Sequence, residues 1–140
     1  MNLKTNKSGF TLLEIIIVII IVGVLASLAL PRFFSTVEYS RSTEALASIT
    51  AVRQAMERCY LQRNGDYTNC NAFAALDLTD PATSPNAHFG YGISATSATG
   101  YTLTSTRNTL DGGDGSSTIV LIQSSTNVTR SGTGSFSGIK

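Results

Sequence analysis

The sequence predicts an α+β fold in which one long N-terminal helix packs against an antiparallel sheet of three or four strands. Two observations support this class: an apolar run that continues into a helical stripe, and a second half made of short β-rich segments separated by turn residues. We expect a short polar segment over 1–9, a membrane helix over 10–31, and a globular domain over 32–140. With 140 residues, the chain has room for one such small domain.

The membrane helix is predicted from the run Phe10–Leu30. The run is apolar except at four positions, Thr11, Glu14, Gly23 and Ser27. About 21 helical residues at about 1.5 Å each cross a hydrocarbon core of about 30 Å. An ionised carboxylate inside this core costs on the order of 3 kcal/mol, so Glu14 needs a partner.

The segment before the run is typical of a cytoplasmic leader. Met1–Gly9 is polar and carries Lys4 and Lys7, and no small-residue cleavage site follows the apolar run as in an ordinary signal peptide. Any cleavage is therefore expected before the helix.

The hexapeptide Gly9-Phe10-Thr11-Leu12-Leu13-Glu14 resembles the processing site of type IV prepilins and type II secretion pseudopilins. The resemblance implies a pilin-like fold, cutting between Gly9 and Phe10 by a membrane-embedded prepilin peptidase, and N-methylation of Phe10. It also implies a homo-oligomeric helical filament built at an inner-membrane assembly platform. A plain membrane anchor has no reason to place Gly-Phe before the run and Glu five residues into it.

Processing would supply the partner that Glu14 needs. Cleavage releases an amine at Phe10, and a cation is the natural partner of a carboxylate in lipid. Glu14 would reach either its own terminus or that of a neighbouring subunit. The resemblance favours the neighbour, which makes Glu14, Phe10 and Pro31 the assembly residues.

The helix is predicted to continue beyond Pro31 with a kink, because the helical pattern resumes over 32–63. Apolar residues step by four and three along one face: Ala45, Ile49, Val52, Met56 and Cys59. The opposite face carries Arg41, Glu44, Gln54 and Arg58, so this half of the helix is amphipathic and is expected to leave the membrane. Asn64-Gly65 is a typical C-terminal signal.

The cysteines Cys59 and Cys70 flank the exit of this helix. Eleven residues apart, in a domain predicted to leave the cytoplasm, they favour a disulfide over free thiols. A zinc site is disfavoured because His88, the single histidine, is distant in sequence.

The strands are predicted from alternation in the second half. Phe89, Tyr91 and Ile93 predict one strand and Tyr101 with Leu103 a second, while 118–122 forms a β-branched run expected to be buried throughout. Residues 127–130 supply a fourth strand. The tail 131–140, rich in serine and glycine, is expected to be a flexible surface.

Two features carry chemical alternatives. The loop Asp111-Gly112-Gly113-Asp114-Gly115 is interpreted as a hairpin connection, because it lacks the spaced acids of an EF-hand. Calcium binding by Asp111 and Asp114 is the alternative. Secretion pseudopilins of the major class are similar in carrying a calcium-binding loop in this region, so the resemblance implies that calcium would favour that branch. His88 is interpreted as a surface or loop residue. No catalytic motif is recognisable, so we expect neither an enzyme nor a cofactor. A net charge of +1 indicates no strong nucleic-acid footprint.

The sequence therefore predicts a structural subunit of a type IV pilus-like filament that serves adhesion, motility or DNA uptake. It would sit in the inner membrane as a precursor and then in an extracellular pilus. One alternative is a type II secretion pseudopilin in a short periplasmic filament. Another is a monomeric, membrane-anchored binding module.

Overall fold

The computed structural model describes residues 9–140, except for the side chain of Ala95, and it confirms the α+β class. The described residues divide into two compact units that meet in sequence between Thr36 and Val37. The elements are one helix and four strands, α1 (Leu12–Gln62), β1 (Phe89–Ser97), β2 (Gly100–Arg107), β3 (Thr118–Gln123) and β4 (Val128–Gly132), with short 3₁₀ turns at Phe73–Leu76, Pro81–Thr83, Leu110–Gly112 and Gly134–Phe136.

Helix α1 runs through Pro31, as predicted. Proline lacks the backbone donor that would bond the Ser27 carbonyl, but one missing hydrogen bond does not end the helix here. The helix ends at Gln62. Asn64 and Gly65 follow with φ of 56° and 85°, and the Gly65 amide donates to the Tyr60 carbonyl at 2.9 Å. This left-handed exit confirms the predicted Asn64-Gly65 terminus.

The sheet is the predicted meander, because each strand pairs antiparallel with the next along the chain in the order β1-β2-β3-β4. The helical stripe from Ala45 to Cys59 is buried, as predicted. The same core contains residues from the loops and from alternate positions of the strands, namely Tyr67, Leu76, Phe89, Tyr101, Leu103, Ile119 and Leu121.

Two expectations about burial are wrong. Ile119 and Leu121 are buried but Ile122 is 45% exposed, because successive strand residues point to opposite faces and one face of the sheet is open. The tail is not a flexible surface. Phe136 is 0% exposed and Ile139 is buried beside it, so residues after β4 complete the core.

Candidate functional site

The first half of α1 exposes apolar side chains on every side. Exposure ranges from 40% at Ile16 to 80% at Phe10, and the large apolar residues from Phe10 to Phe34 are exposed. This helix is long and apolar enough to cross a membrane. An apolar surface of this length requires a nonaqueous neighbour, either lipid or other helices.

The first turn of α1 places Glu14 beside a helix cap. Thr11 precedes the first helical residue, Leu12, and its Oγ1 accepts a hydrogen bond from the Glu14 amide at 3.3 Å. Thr11 and Glu14 therefore have the spacing of a capping box, in which either Glu or Gln at the third position suits the helix start. The carboxylate also lies at the positive end of the helix dipole.

The leader lies mostly outside the described residues. Residues 1–8, which include Lys4 and Lys7, are not among them. Gly9 and Phe10 are exposed and precede the helix. Both residues that flank the bond proposed for cleavage are therefore exposed.

The helix exit is fixed by the predicted disulfide, which is confirmed between Cys59 and Cys70 with their Cα atoms 6.2 Å apart. Both cysteines are buried. Tyr67, inside the closed loop, donates a hydrogen bond to Glu57 Oε2 at 3.0 Å, so the loop returns to the last turns of α1. Burial, followed by the Glu57 carboxylate, raises the pKa of the Tyr67 hydroxyl.

The connection between β2 and β3 is held to α1 by an ion pair between a buried arginine and a half-buried glutamate. The Arg107 side chain is 0% exposed and donates from Nε and Nη2 to both oxygens of Glu38, at 2.9 and 3.1 Å. Its remaining donors reach three backbone carbonyls, those of His88, Asn108 and Leu110. Hydrogen bonding to Arg107 holds the pKa of the Glu38 carboxyl below its usual range.

His88 bridges two carboxylates beside this pair. Its Nδ1 lies 2.8 Å from Glu44 Oε2 and its Nε2 lies 3.0 Å from Asp111 Oδ2, while its backbone amide donates to Glu44. Arg41 also contacts Asp111 at 3.6 Å. Arg41 is therefore a half-buried contact of the β2–β3 connection, and Glu44 is a half-buried contact of His88, in the segment before β1.

Asp114 organises the far end of the same connection. Its carboxylate accepts hydrogen bonds from the Ser116 and Ser117 amides at 3.0 and 2.9 Å and from the Ser117 hydroxyl. The Ser117 hydroxyl first, and then the two amides, lower the pKa of Asp114 to about 2. Ser117 Oγ in turn accepts from the Ser135 amide at 2.8 Å, which ties this connection to the C-terminal segment.

Both carboxylates of the loop already have partners within the chain. Asp111 is engaged by His88 and Arg41, and Asp114 by its own turn. Among residues 9–140, no three His, Cys, Asp or Glu side chains are grouped as metal ligands. The hairpin interpretation is confirmed, since β2 and β3 pair directly.

Sequence reasoning missed the ion pair between Glu38 and Arg107, although one signal pointed to it. Tyr101, Leu103 and Ser105 alternate as the buried face of β2, and Arg107 continues the same alternation. A charged residue at a buried strand position requires a partner. Nothing in the pattern indicated that the partner lay on α1.

Comparison with known proteins places the chain in a family. The sequence model of a family described as "Type IV minor pilin ComP, DNA uptake sequence receptor" matches residues 31–118, more than half of the chain. A second model, the prokaryotic N-terminal methylation motif, matches residues 4–30.

Curated relatives match about half of the chain, or somewhat less or more. Type II secretion system core protein G of Aeromonas hydrophila is 35% identical over 82 residues, 59% of this chain and 57% of that protein. The core protein G of Escherichia coli K12 is 38% identical over 71 residues, 51% and 48% of the two chains. Type IV major fimbrial protein FimA of Dichelobacter nodosus is 34% identical over 59 residues, 42% and 38% of the two.

The chain thus spans about half the length of the curated relatives that it matches. The match to the methylation motif includes the hexapeptide Gly9–Glu14, and the match to the larger model covers Pro31, the amphipathic part of α1 and the first two strands. The chain belongs to the type IV minor pilin family that the larger of these two models describes.

Proposed function

We propose that this chain is a structural subunit of a type IV pilus-like filament, inserted as a prepilin and cut between Gly9 and Phe10. The observation that carries the proposal is the helix from Leu12 onward, whose apolar side chains are exposed all round and whose first turn holds Glu14. Lipid would cover these apolar side chains before assembly, and a bundle of identical helices would cover them afterwards. The methylation motif over residues 4–30 supports the processing step.

Assembly is proposed to depend on Glu14 and the amine that cleavage creates at Phe10. In a staggered array, the carboxylate of one subunit pairs with the amine of its neighbour. Arg32 lies 18 residues further on, about 27 Å of helix, which is too far to serve. Contacts of one subunit with a different surface of the next generate open helical polymers rather than closed rings.

Processing is tested by substitution at Gly9. Gly9→Leu is expected to leave the precursor uncut, because a side chain would occupy the position next to the scissile bond. The measurement is the intact mass of the protein extracted from membranes. Wild type and Ser8→Ala are the controls, and both should have the mature mass. A mature mass beginning at Phe10 in Gly9→Leu would contradict the assignment.

A pseudopilin function is the second candidate, favoured by the core protein G relatives. We expect calcium to leave the unfolding temperature of the full chain unchanged, since the Asp111 and Asp114 carboxylates already have protein partners. A rise on calcium addition that is lost in Asp114→Ala would favour the secretion branch.

DNA uptake is the outward task that the family description favours over adhesion and motility. Arg53, Arg58, Arg63 and Arg130 take part in no salt bridge among the described residues, so they are available to phosphates. A mobility-shift assay with duplex DNA over a salt series tests this, with Arg58→Gln and Arg130→Gln against wild type. Absence of any shift at low salt would remove DNA binding from the proposal.

A further inference from the structure

A neutral cleft lies where the turn between β1 and β2 meets the turn between β3 and β4. It has a volume of about 180 Å³ and is lined by Tyr60, Tyr67, Thr99, Gln123, Ser124 and Ser125. A second cleft of about 270 Å³ shares Thr99 and 123–125 and extends over Ser97, Tyr101 and Thr102. We refer to the two together as the turn cleft.

The lining of the turn cleft is uncharged and mostly polar. No charged side chain lines either part, and most of the lining residues carry hydroxyl groups. Gln123 adds an amide, and Tyr60 adds a half-buried aromatic ring that stacks on Tyr67 with centroids 4.4 Å apart. The cleft thus offers neutral hydrogen-bonding groups beside one aromatic ring.

One polar atom of a cleft-lining side chain has no partner. Among residues 9–140, Gln123 Oε1 is a buried side-chain oxygen without a hydrogen bond. Gln123 uses Nε2 to donate to the Ser124 carbonyl at 2.9 Å and leaves Oε1 unused. Buried polar atoms without a partner commonly mark the place of a water or a ligand.

The walls of the turn cleft are set by the fold rather than by a ligand. A Cβ at Gly100 would lie 2.5 Å from the Gln123 carbonyl oxygen, so only glycine allows the two turns to approach this closely. Tyr67 donates its amide to Ala98 at 3.3 Å, and Ser124 donates its amide to Asn127 at 2.8 Å. A site formed in advance binds its ligand with a smaller loss of conformational entropy.

We propose that the turn cleft binds one pyranose ring of an uncharged polysaccharide. A sugar ring presents an apolar C–H face that matches the Tyr60 ring and an equatorial rim of hydroxyls that matches the Gln123 amide and the serine and threonine hydroxyls. Nucleic acid is disfavoured as occupant, because its phosphates require cationic side chains that the lining lacks. The proposal rests only on residues of the unit Val37–Lys140. It does not depend on whether the subunit forms a pilus or a pseudopilus.

The test uses the full chain, labelled with nitrogen-15 and held in dodecylphosphocholine micelles, because maltoside detergents would themselves offer a sugar. The probes are methyl β-D-glucopyranoside, methyl β-D-galactopyranoside and methyl N-acetyl-β-D-glucosaminide. At least one is expected to shift the Gln123 side-chain amide signals saturably, with a dissociation constant of about 1 mM. The shift should not change with salt, since no charges are involved.

Variants locate the site. Tyr60→Ala is expected to weaken binding about tenfold, whereas Tyr60→Phe keeps the ring and stays within about threefold of wild type. Ser125→Trp should abolish binding by filling the cleft, and Ser116→Trp, on the exposed β2–β3 connection, should not. Saturable binding that survives Ser125→Trp would overturn the assignment of the site.

Two further outcomes overturn the proposal. One is the absence of saturable shifts at Gln123 with all of these glycosides. The other is a salt-dependent shift at Gln123 produced by a short single-stranded oligonucleotide and by none of the sugars. Filament formation would be unaffected in either case, so failure here is separate from failure of the proposed function.

Discussion

Arg107 is the residue on which the attachment of the β2–β3 connection depends most. Removing its side chain takes two hydrogen bonds from Glu38, which keeps Arg41 at 3.4 Å, and leaves three backbone carbonyls without their buried donor. Polar groups left without a partner in a buried site cost free energy. Arg107→Met is therefore expected to lower the free energy of unfolding by about 3 kcal/mol. The double variant Glu38→Gln with Arg107→Met should cost less than the sum of the two single changes, because it removes both charges.

Urea unfolding of the full chain in micelles, followed by circular dichroism, measures these costs. Arg58→Met is the matched control, since Arg58 is exposed and forms no described salt bridge. Additive costs for Glu38→Gln and Arg107→Met would show that the two side chains act independently, against the geometry of their two hydrogen bonds.

Asp114 gives the domain a defined acid sensitivity. Its pKa is about 2 in the folded chain and about 3.9 in an unfolded one, so its contribution to stability is complete above about pH 4 and is lost as the pH falls towards 2. The unfolding temperature of wild type should fall steeply through this window, and that of Asp114→Asn less steeply. Asp77→Asn, at an exposed position with φ of 50°, is the control. Equal slopes in all three proteins would remove Asp114 as the source.

Sequence reasoning at the residue scale succeeded where a residue's neighbours in sequence define its role. The pairing of Cys59 with Cys70 follows from their spacing and from the expected compartment. The roles of His88 and Arg107 do not, because Glu44 and Glu38 lie 44 and 69 positions away and only the tertiary fold brings them together. Phe136 was missed for the same reason, since its short, polar surroundings give no strand or helix signal.

The disulfide is an element-scale device that closes the helix exit. Cross-linking positions eleven apart removes chain entropy from the unfolded state and contributes roughly 2 to 3 kcal/mol. Reduction should therefore lower the unfolding temperature by about 10 °C in a unit of this size. Differential scanning calorimetry with and without reductant checks this, with the Cys59→Ser and Cys70→Ser double variant as the control that reductant should not affect. Free thiols titrated in the unreduced protein would argue against the bond.

The C-terminal segment is the second element that stabilises the domain. Phe136 is fully buried, and Gly134, with φ of 58°, leaves no room for a Cβ beside Ser117 Oγ. Phe136→Ala is expected to cost about 3 to 5 kcal/mol through the cavity that it leaves. Ser137→Ala, one residue further along and exposed, should cost nothing measurable. The measurement is the urea concentration at the midpoint of unfolding for each variant. Equal midpoints for Phe136→Ala and Ser137→Ala would favour a flexible tail.

At the scale of the whole molecule, the fold was predictable because its local signals agree. Each local pattern predicts the same architecture: the long apolar run, the helical stripe that follows it, the Asn64-Gly65 helix terminus and the alternation of the strands. The meander also needs no long connection between strands. The assembly surface was predictable for another reason. A helix segment of about 21 nearly uninterrupted apolar residues needs a nonaqueous neighbour on every side, so composition alone indicates an assembly or membrane surface.

Glu14 has two roles that a single substitution would confuse. As part of the capping box with Thr11 it supports the start of α1, and as a carboxylate near the Phe10 amine it would pair across subunits. Glu14→Gln separates them, because glutamine keeps the capping geometry and removes the charge. Both Glu14→Gln and Glu14→Ala should insert and be cut after Gly9, since the cleavage site is intact.

We expect both Glu14 variants to yield mature subunit in the membrane and few or no filaments, because the amine at Phe10 would then be left without its carboxylate partner. Thr11→Ala is the matched control, since it removes the cap hydrogen bond but keeps the charge, and it should still assemble. The measurement is the number of filaments seen by electron microscopy, divided by the mature subunit quantified in membrane extracts. Normal filaments from Glu14→Gln, together with loss in Glu14→Ala and Thr11→Ala, would assign the effect to the helix cap and remove the intersubunit ion pair from the mechanism.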